Sequence, residues 1–280
     1  MKSRPVRGRV VVITGGARGI GAATASLLAA EGARVAIGDL DADVAEKTSE
    51  ELGVLGFAVD VTKATEFAAF LDRVEQELGP IDVLVNNAGI MPLHRIDDEP
   101  DEVTDLIVAV NQMAVIRGTR DIVRRWRSSG RSGHVINVSS AAGRVPIAGA
   151  STYVASKHAV SGFSNSLHIE FSAEQVPIDV TAVHPAMVRT ELAAGFRANK
   201  LTAKPVSPEQ VAAAILDAIR RPRPNVYVPT SLGTAVRVGG LIPRRVGEWL
   251  NRVLGGERAA LDAIDSPERR GYEERIAGGE

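Results

Sequence analysis

The chain contains no cysteine, which removes both a disulfide framework and a thiolate-held metal from consideration. Its five histidines show no metal-ligand spacing, so no metal site is expected. No run of about eighteen apolar residues occurs, which excludes a spanning helix. Charge of one sign is lacking as well: 33 basic against 34 acidic residues give a net charge of −1, and no overall basic field is left for nucleic acid. The segment Met1 to Arg9 is basic but runs straight into a strand, without the apolar stretch of a signal peptide, and a cytoplasmic location is expected. Repeats and low-complexity tracts are missing too. What remains is a 280-residue composition, 45% hydrophobic and 24% charged, that suits one well-buried domain.

Short β-branched runs alternate with helical stretches along most of the chain. Strands are expected at 9–14, 33–39, 57–61, 81–86, 134–139, 178–183 and 226–228. Between them, helices are expected near 21–32, 42–52, 64–78, 101–110, 114–126, 152–174 and 208–219. Repeated βα units with apolar strands predict an α/β fold: a doubly wound (Rossmann) parallel sheet of about seven strands, with helices on both faces. Residues 1–229 form the dinucleotide-binding and catalytic domain in this reading, and 230–280 a C-terminal helical extension packed on or near it.

Gly15, Gly19 and Gly21 fall between the first strand and the first helix, where absent side chains let the backbone approach a pyrophosphate and the helix N-terminus offers free N–H groups. Asp39 stands at the end of the second strand, where its carboxylate would accept hydrogen bonds from ribose hydroxyls and repel a 2′-phosphate. This favours NAD over NADP. Arg18 argues the other way, since a guanidinium there can pair with a 2′-phosphate. Farther on, Tyr153 and Lys157 are four residues apart, on one face of a helix, so the ammonium can lie beneath the ring and favour the phenolate. Such a phenol would act as proton donor and acceptor near neutrality. Ser140 leaves the C-terminal edge of the fifth strand and would hydrogen-bond the substrate oxygen.

These residues resemble the short-chain dehydrogenase/reductase family, in its single-domain branch, over roughly residues 8–229. The resemblance rests on Thr14-Gly-x-x-x-Gly-x-Gly, Asp60-Val61, Asn86-Asn87-Ala88-Gly89, Asn111, Ser140 and Tyr153-x-x-x-Lys157, in order and at approximate spacing. It implies an NAD-dependent oxidoreductase acting on a secondary alcohol or ketone, with Asn111, Ser140, Tyr153 and Lys157 catalytic. Asn111 would bridge through water to Lys157, and Lys157 would lower the Tyr153 pKa and bond the nicotinamide ribose. The cofactor would be held by Gly15, Arg18, Gly19, Ile20, Gly21, Asp39 and Leu40, by Asp60 and Val61 at the adenine, and by Asn87, Ala88 and Gly89 beside the fourth strand. Pro185, Val188 and Thr190 would hold the nicotinamide end, together with Tyr153 and Lys157. The spacing usual in the family selects Ser140 over Ser139. One departure stands out: Pro185-Ala186 replaces the usual Pro-Gly, and a small local adjustment is expected. An NADPH-dependent carbonyl reductase of the same fold, or a dinucleotide-binding regulatory protein without turnover, are the alternatives.

The cleft residues Ala141, Ala142, Val145, Pro146, Ile147, Met187 and the loop 192–201 are mostly apolar, which favours an apolar alcohol or ketone. Arg144, Arg189 and Arg197 are the candidates for a carboxylate, and His94 for an occasional substrate contact. The resemblance implies a homodimer or homotetramer through the helices near 114–126 and 152–174. In the tail, Val246, Trp249, Leu250, Val253 and Leu254 fall at helical spacing, suiting a helix packed on protein, with peripheral membrane contact as the alternative. From Glu257 onward, seven acids and four arginines with few large apolar residues predict a frayed end.

Overall fold

The computed structural model describes residues 3–196, 205–239, 245 and 260–276. Seven parallel strands form one sheet: β1 (Val10–Thr14), β2 (Arg34–Asp39), β3 (Leu55–Ala58), β4 (Val83–Asn86), β5 (Gly133–Val138), β6 (Ile178–Pro185) and β7 (Asn225–Val228). Their order is β3-β2-β1-β4-β5-β6-β7, the doubly wound arrangement expected. The winding reverses between β1 and β4, whose register pairs Val11 with Val83 and Ile13 with Val85. In open α/β sheets a crevice opens at the C-terminal ends of the strands at that reversal.

Alternation along the strands divides the core between two faces. Val11, Ile13, Val83 and Val85 pack with α1 (Gly19–Ala30) and α7 (Pro208–Arg220). Val10, Val12, Leu84 and Val135 pack on the other side with α3 (Ala64–Leu78), α5 (Ala114–Ser128) and α6 (Ser151–Ala173). Trp126 of α5 is buried there, and its indole N–H donates to the Ile81 carbonyl at 2.7 Å, so the large ring brings no unpaired polar atom inside. The start of α7 is set by a capping box in which Ser207 and Gln210 satisfy each other's backbone N–H groups, with Pro208 in the first turn. Helix α2 (Ala42–Leu52) is capped by Asp41, which accepts from the Val44 N–H.

Three local expectations differ. The third strand is Leu55–Ala58 rather than 57–61, because its partner β2 ends at Asp39. Past Ala58 a last bond from Val59 N–H to the Asp39 carbonyl turns Asp60 and Val61 toward the crevice. The helices expected at 101–110 and 114–126 form one helical run: α4 (Asp101–Val108) continues through a π-helical turn, Ala109–Met113, into α5. Finally, the frayed end does not hold for Ala260–Ile276, which docks on the body of the protein with Ala263, Arg269 and Tyr272 buried. Few large apolar residues were needed, since the burial uses small alanines and a guanidinium that makes four hydrogen bonds. A further helix, α8 (Thr230–Gly239), follows β7. Val246, Trp249, Leu250, Val253 and Leu254 lie outside the described residues, as does Arg197. Among the described residues no helix is long and apolar enough to cross a membrane.

Candidate active site

A cleft of about 1110 Å³ runs over the C-terminal ends of the strands. At one end the β1–α1 turn meets the end of β4. The Asn87 side-chain amide donates to the Thr14 carbonyl at 3.0 Å and to the Gly15 carbonyl at 2.8 Å, and the Thr14 hydroxyl accepts from the Asn87 and Ala88 N–H groups. Gly15, Arg18, Gly19 and Ile20 line the cleft. Gly21 lies behind it: a Cβ there would stand 2.0 Å from the Gly15 carbonyl oxygen, so its role is to let α1 start tightly against the turn. Arg18 occupies the N-cap position of α1 without a side-chain cap, and the first turn holds no acidic residue. The leading N–H groups of α1 are thus free of any side-chain cap, as an anion site at a helix start requires.

Asp39 lines the cleft at the end of β2 and accepts from the Ala17 N–H at 3.0 Å, which ties it to the glycine turn. Leu40 projects beside it, largely exposed. Arg18 is neither free nor simply solvated: its guanidinium is ion-paired with Asp41 at 2.6 Å, and that hydrogen bond holds the Asp41 carboxyl below the ordinary carboxylate range. Asp60 and Val61 line the next stretch, Asp60 held by the Thr62 N–H and hydroxyl at 2.9 and 2.6 Å. Ala88 and Gly89 lie opposite, and Pro185, Val188 and Thr190 arrive from the end of β6. Ala186 is not strained: its N–H donates to the Val228 carbonyl at 2.7 Å, and among the described residues only Gln175 is a non-glycine with positive φ. The glycine of the usual pattern is therefore not required by the backbone here.

Tyr153, Lys157 and Ser140 come together at the inner end. Helix α6 carries the first two, and Ser140 follows β5. The Ser140 hydroxyl lies close to the Tyr153 phenol at the cleft wall; burial, the larger influence, pushes the phenol above its ordinary value, and the nearby Ser140 hydroxyl opposes the rise. The expected effect of Lys157 is weaker than its spacing suggests. Its Nζ stands 5.8 Å from the tyrosine ring centroid and donates to the Val138 carbonyl at 3.1 Å, and burial pushes the ammonium down to about 8. Ser139, the rival serine, is committed elsewhere, with its hydroxyl donating to the Lys157 carbonyl at 2.9 Å and lying 3.0 Å from the Ser161 hydroxyl. His184 packs behind the site, 3.3 Å from the Ser140 carbonyl, 2.9 Å from Asn225 Oδ1 and stacked on Tyr227.

Asn111 does not line the cleft. The π-helical turn presents its side chain to the post-β4 loop, where Oδ1 accepts from the Ile90 N–H at 2.8 Å and Nδ2 donates to the Ile90 carbonyl at 2.8 Å and to Ser156 at 3.2 Å. The backbone and Ser156 thus take up this side chain, and Gly89 stands between it and Lys157. Of the expected substrate wall, Ala141, Ala142, Ile147, Met187, Leu192 and Phe196 line the cleft, whereas Val145, Pro146 and His94 do not. Arg189 lines it too, and Arg144 instead donates to Asn225.

Sequence reasoning missed Tyr272, Arg275 and Ile276, which complete the lining from the far end of the chain. The signal available was small: Tyr272 is one of only three tyrosines, set in a stretch whose charge reads as solvated.

A model of the short chain dehydrogenase family matches residues 9–201, and the chain belongs to that family of oxidoreductases. It is 38% identical over 223 residues to a cis-4-hydroxycyclohexanecarboxylate dehydrogenase of Sinomonas cyclohexanicum, an alignment covering 74% of this chain and 87% of that one. A probable oxidoreductase of Mycobacterium tuberculosis, EphD, is 34% identical over 238 residues, covering 77% of this chain. The matched region spans only 40% of that longer relative. Among solved structures, a short-chain dehydrogenase/reductase from Burkholderia phymatum in complex with NAD shares the fold with a TM-score of 0.76 at 23% identity, over 84% of this chain and 93% of that one.

Proposed function

We propose that this protein uses NAD to interconvert an apolar secondary alcohol and its ketone. The observation that carries the chemistry is the meeting of the Tyr153 phenol and the Ser140 hydroxyl in a cleft floored by Lys157. The uncapped start of α1 and the Asp39 carboxylate suit a dinucleotide, with Gly15, Gly19, Asp39, Asp60, Ala88 and Val188 along its path. When bound in its oxidised form, the nicotinamide supplies a hydride acceptor and a positive charge. Tyr153 takes the alcohol proton in oxidation and returns it in reduction, while Ser140 hydrogen-bonds the substrate oxygen and orients it. Burial favours the protonated phenol, the donor in reduction; for oxidation the phenol would first release its proton to solvent, and the buried Lys157 ammonium is the nearby group that would offset the charge of the phenolate that then takes the alcohol proton.

Two features support NAD over NADP. Asp39 presents a carboxylate where the ribose hydroxyls would lie, and Arg18, a guanidinium suited to a 2′-phosphate, is already paired with Asp41. The Met91, Ile147, Met187, Leu192 and Phe196 walls support an apolar substrate, and the Sinomonas relative supports a cyclic secondary alcohol. A cytoplasmic homo-oligomer assembled through α5 and α6 completes the reading, and the exposed Ile169 on α6 supports it.

The test titrates NADH and NADPH by fluorescence into the protein and into Asp39→Ala, then follows NAD reduction with alkyl-substituted cyclohexanols. NADH should bind at least tenfold tighter than NADPH, with the preference relaxed in Asp39→Ala. Tyr153→Phe should keep NADH affinity and lose at least a hundredfold in kcat. Preference for NADPH would move the reading to a carbonyl reductase, and dinucleotide binding without turnover of any alcohol or ketone would remove the enzymatic one.

A further inference from the structure

The segment Ala260–Ile276 returns from beyond β7 to the substrate end of the cleft, and one side chain holds it there. Arg269 is 1% exposed. Its Nη1 donates to the Leu192 and Ala194 carbonyls at 3.1 and 3.2 Å, its Nη2 donates to the Met91 carbonyl, and its Nε donates to Glu273 at 2.6 Å. One guanidinium thereby joins three pieces of chain: the loop after β4, the loop after β6 and the segment itself. A buried cation persists only with such extensive pairing. Gly195, at φ +80, clears the approach, since a Cβ there would stand 2.2 Å from the Ser266 hydroxyl. Ala263 and Ile264 then join Tyr153, Met91 and Leu93 in one apolar cluster, so the segment packs directly beside the reacting end.

Tyr272 sits next to Arg269 and lines the cleft. Its phenol oxygen accepts from the Met91 N–H at 2.7 Å. The phenol's own proton finds no acceptor among the described residues. Burial raises the Tyr272 phenol well above its ordinary value, so that proton stays in place. Among the described residues, this buried phenol at the wall of a binding cleft accepts one hydrogen bond and has its O–H left to give.

We propose that Tyr272 is a specificity-determining residue, which donates a hydrogen bond to a second polar acceptor on the substrate, remote from the carbon that is oxidised, and that Arg269 is the positioning residue that holds it there. The substrate class is then narrower than an apolar alcohol: a largely apolar body carrying an ether, carbonyl or carboxylate oxygen at the end away from the hydroxyl. The reason is the asymmetry of buried hydrogen bonds. A substrate with the acceptor completes the donor, and one without it leaves Tyr272 O–H dry and unpaired. The inference rests on the proposed alcohol–ketone reaction.

The test compares two substrates that differ only in that acceptor, 4-methoxycyclohexanol and 4-ethylcyclohexanol, with NAD. The wild type should favour the methoxy compound by about fivefold or more in kcat/KM. Tyr272→Phe should bring the ratio to within about twofold, chiefly by slowing the methoxy substrate. Arg269→Lys should shrink the ratio in the same direction. A wild-type ratio near one would overturn the assignment without any variant being needed, and so would a ratio that survives Tyr272→Phe. If neither alcohol is oxidised, the proposed reaction falls by itself. The dissociation constants of 4-methoxycyclohexanone and 4-ethylcyclohexanone for the protein with NADH then read the same ratio and still decide the role of Tyr272.

Discussion

Lys157 holds an ammonium in a place that penalises charge, and the penalty is measurable. Its pKa falls from 10.5 in the unfolded chain to about 8 in the fold because burial strips its water. Between these values the unfolded chain holds a proton that the folded one releases, so stability rises with pH over that window. Below pH 8 the full penalty is present, about 3 kcal/mol. Lys157→Met removes it and forfeits the bond to the Val138 carbonyl, worth about 1 kcal/mol. The variant should therefore be about 2 kcal/mol more stable near pH 7 while losing activity, and its advantage should vanish by about pH 10.5. Urea unfolding at the two pH values checks this, and parallel curves would remove the argument. The pair Tyr153 and Lys157 was legible only in combination with the other motifs, and the state of Lys157 was not. Periodicity puts two side chains on one face, and only the packing of β5 against α6 shows that the amine also finds a backbone carbonyl. Asn111 shows the same limit. Its place in the motif order was readable, whereas the π-helical turn that presents it to Ile90 depends on a bond pattern with no mark in composition.

At the scale of elements, the helices and strands of the sheet were readable because each buries a face and declares it by period. The bounds of α2 and α3 follow directly from their apolar spacing and end signals. The edge strand β3 begins two residues and ends three residues earlier than expected, since Leu55-Gly56 offers a weak β pattern and its true extent is set by where β2 stops. The segment Ala260–Ile276 was misread for a different reason. Its attachment is polar, concentrated in one arginine, and sequence patterns treat arginine as solvated. Arg269→Ala should free it. Tryptic or chymotryptic cleavage within 260–276 should accelerate at least tenfold, while the melting of the sheet core changes little, because the two large core clusters contain no residue of that segment. Unchanged cleavage would mean that the apolar contacts of Ala263 and Ile264 suffice.

For the whole molecule, acid is the condition that exposes a charge balance hidden at neutrality. His134 in β5 is buried, with its Nε2–H donating to the Thr181 hydroxyl, which itself donates to the Arg223 carbonyl. Its Nδ1 has no hydrogen-bond partner among the described residues, and burial lowers its pKa from 6.5 to about 4. The folded pKa lies below the unfolded one, so the unfolded chain gains a proton that the fold refuses as pH falls from 6.5 to 4. Stability should drop by up to about 3 kcal/mol over that window. His134→Gln keeps an N–H donor without a titrating ring and should flatten the acid limb of a stability–pH curve, a limb equally steep in the variant being the contrary result.

The return of Tyr272 to the cleft also sets an order of events during synthesis. The glycine turn, Asp39, Ser140, Tyr153 and Lys157 all emerge from the ribosome before β7 closes the sheet, and a domain that folds from its N-terminus can build them early. Arg269 and Tyr272 come later. In the proposed reading, a chain still being translated would hold Ser140, Tyr153 and Lys157 in place behind an unfinished wall, open to small molecules that the finished cleft would turn away. On that reading the wall that sets selectivity is built after the residues that do the chemistry.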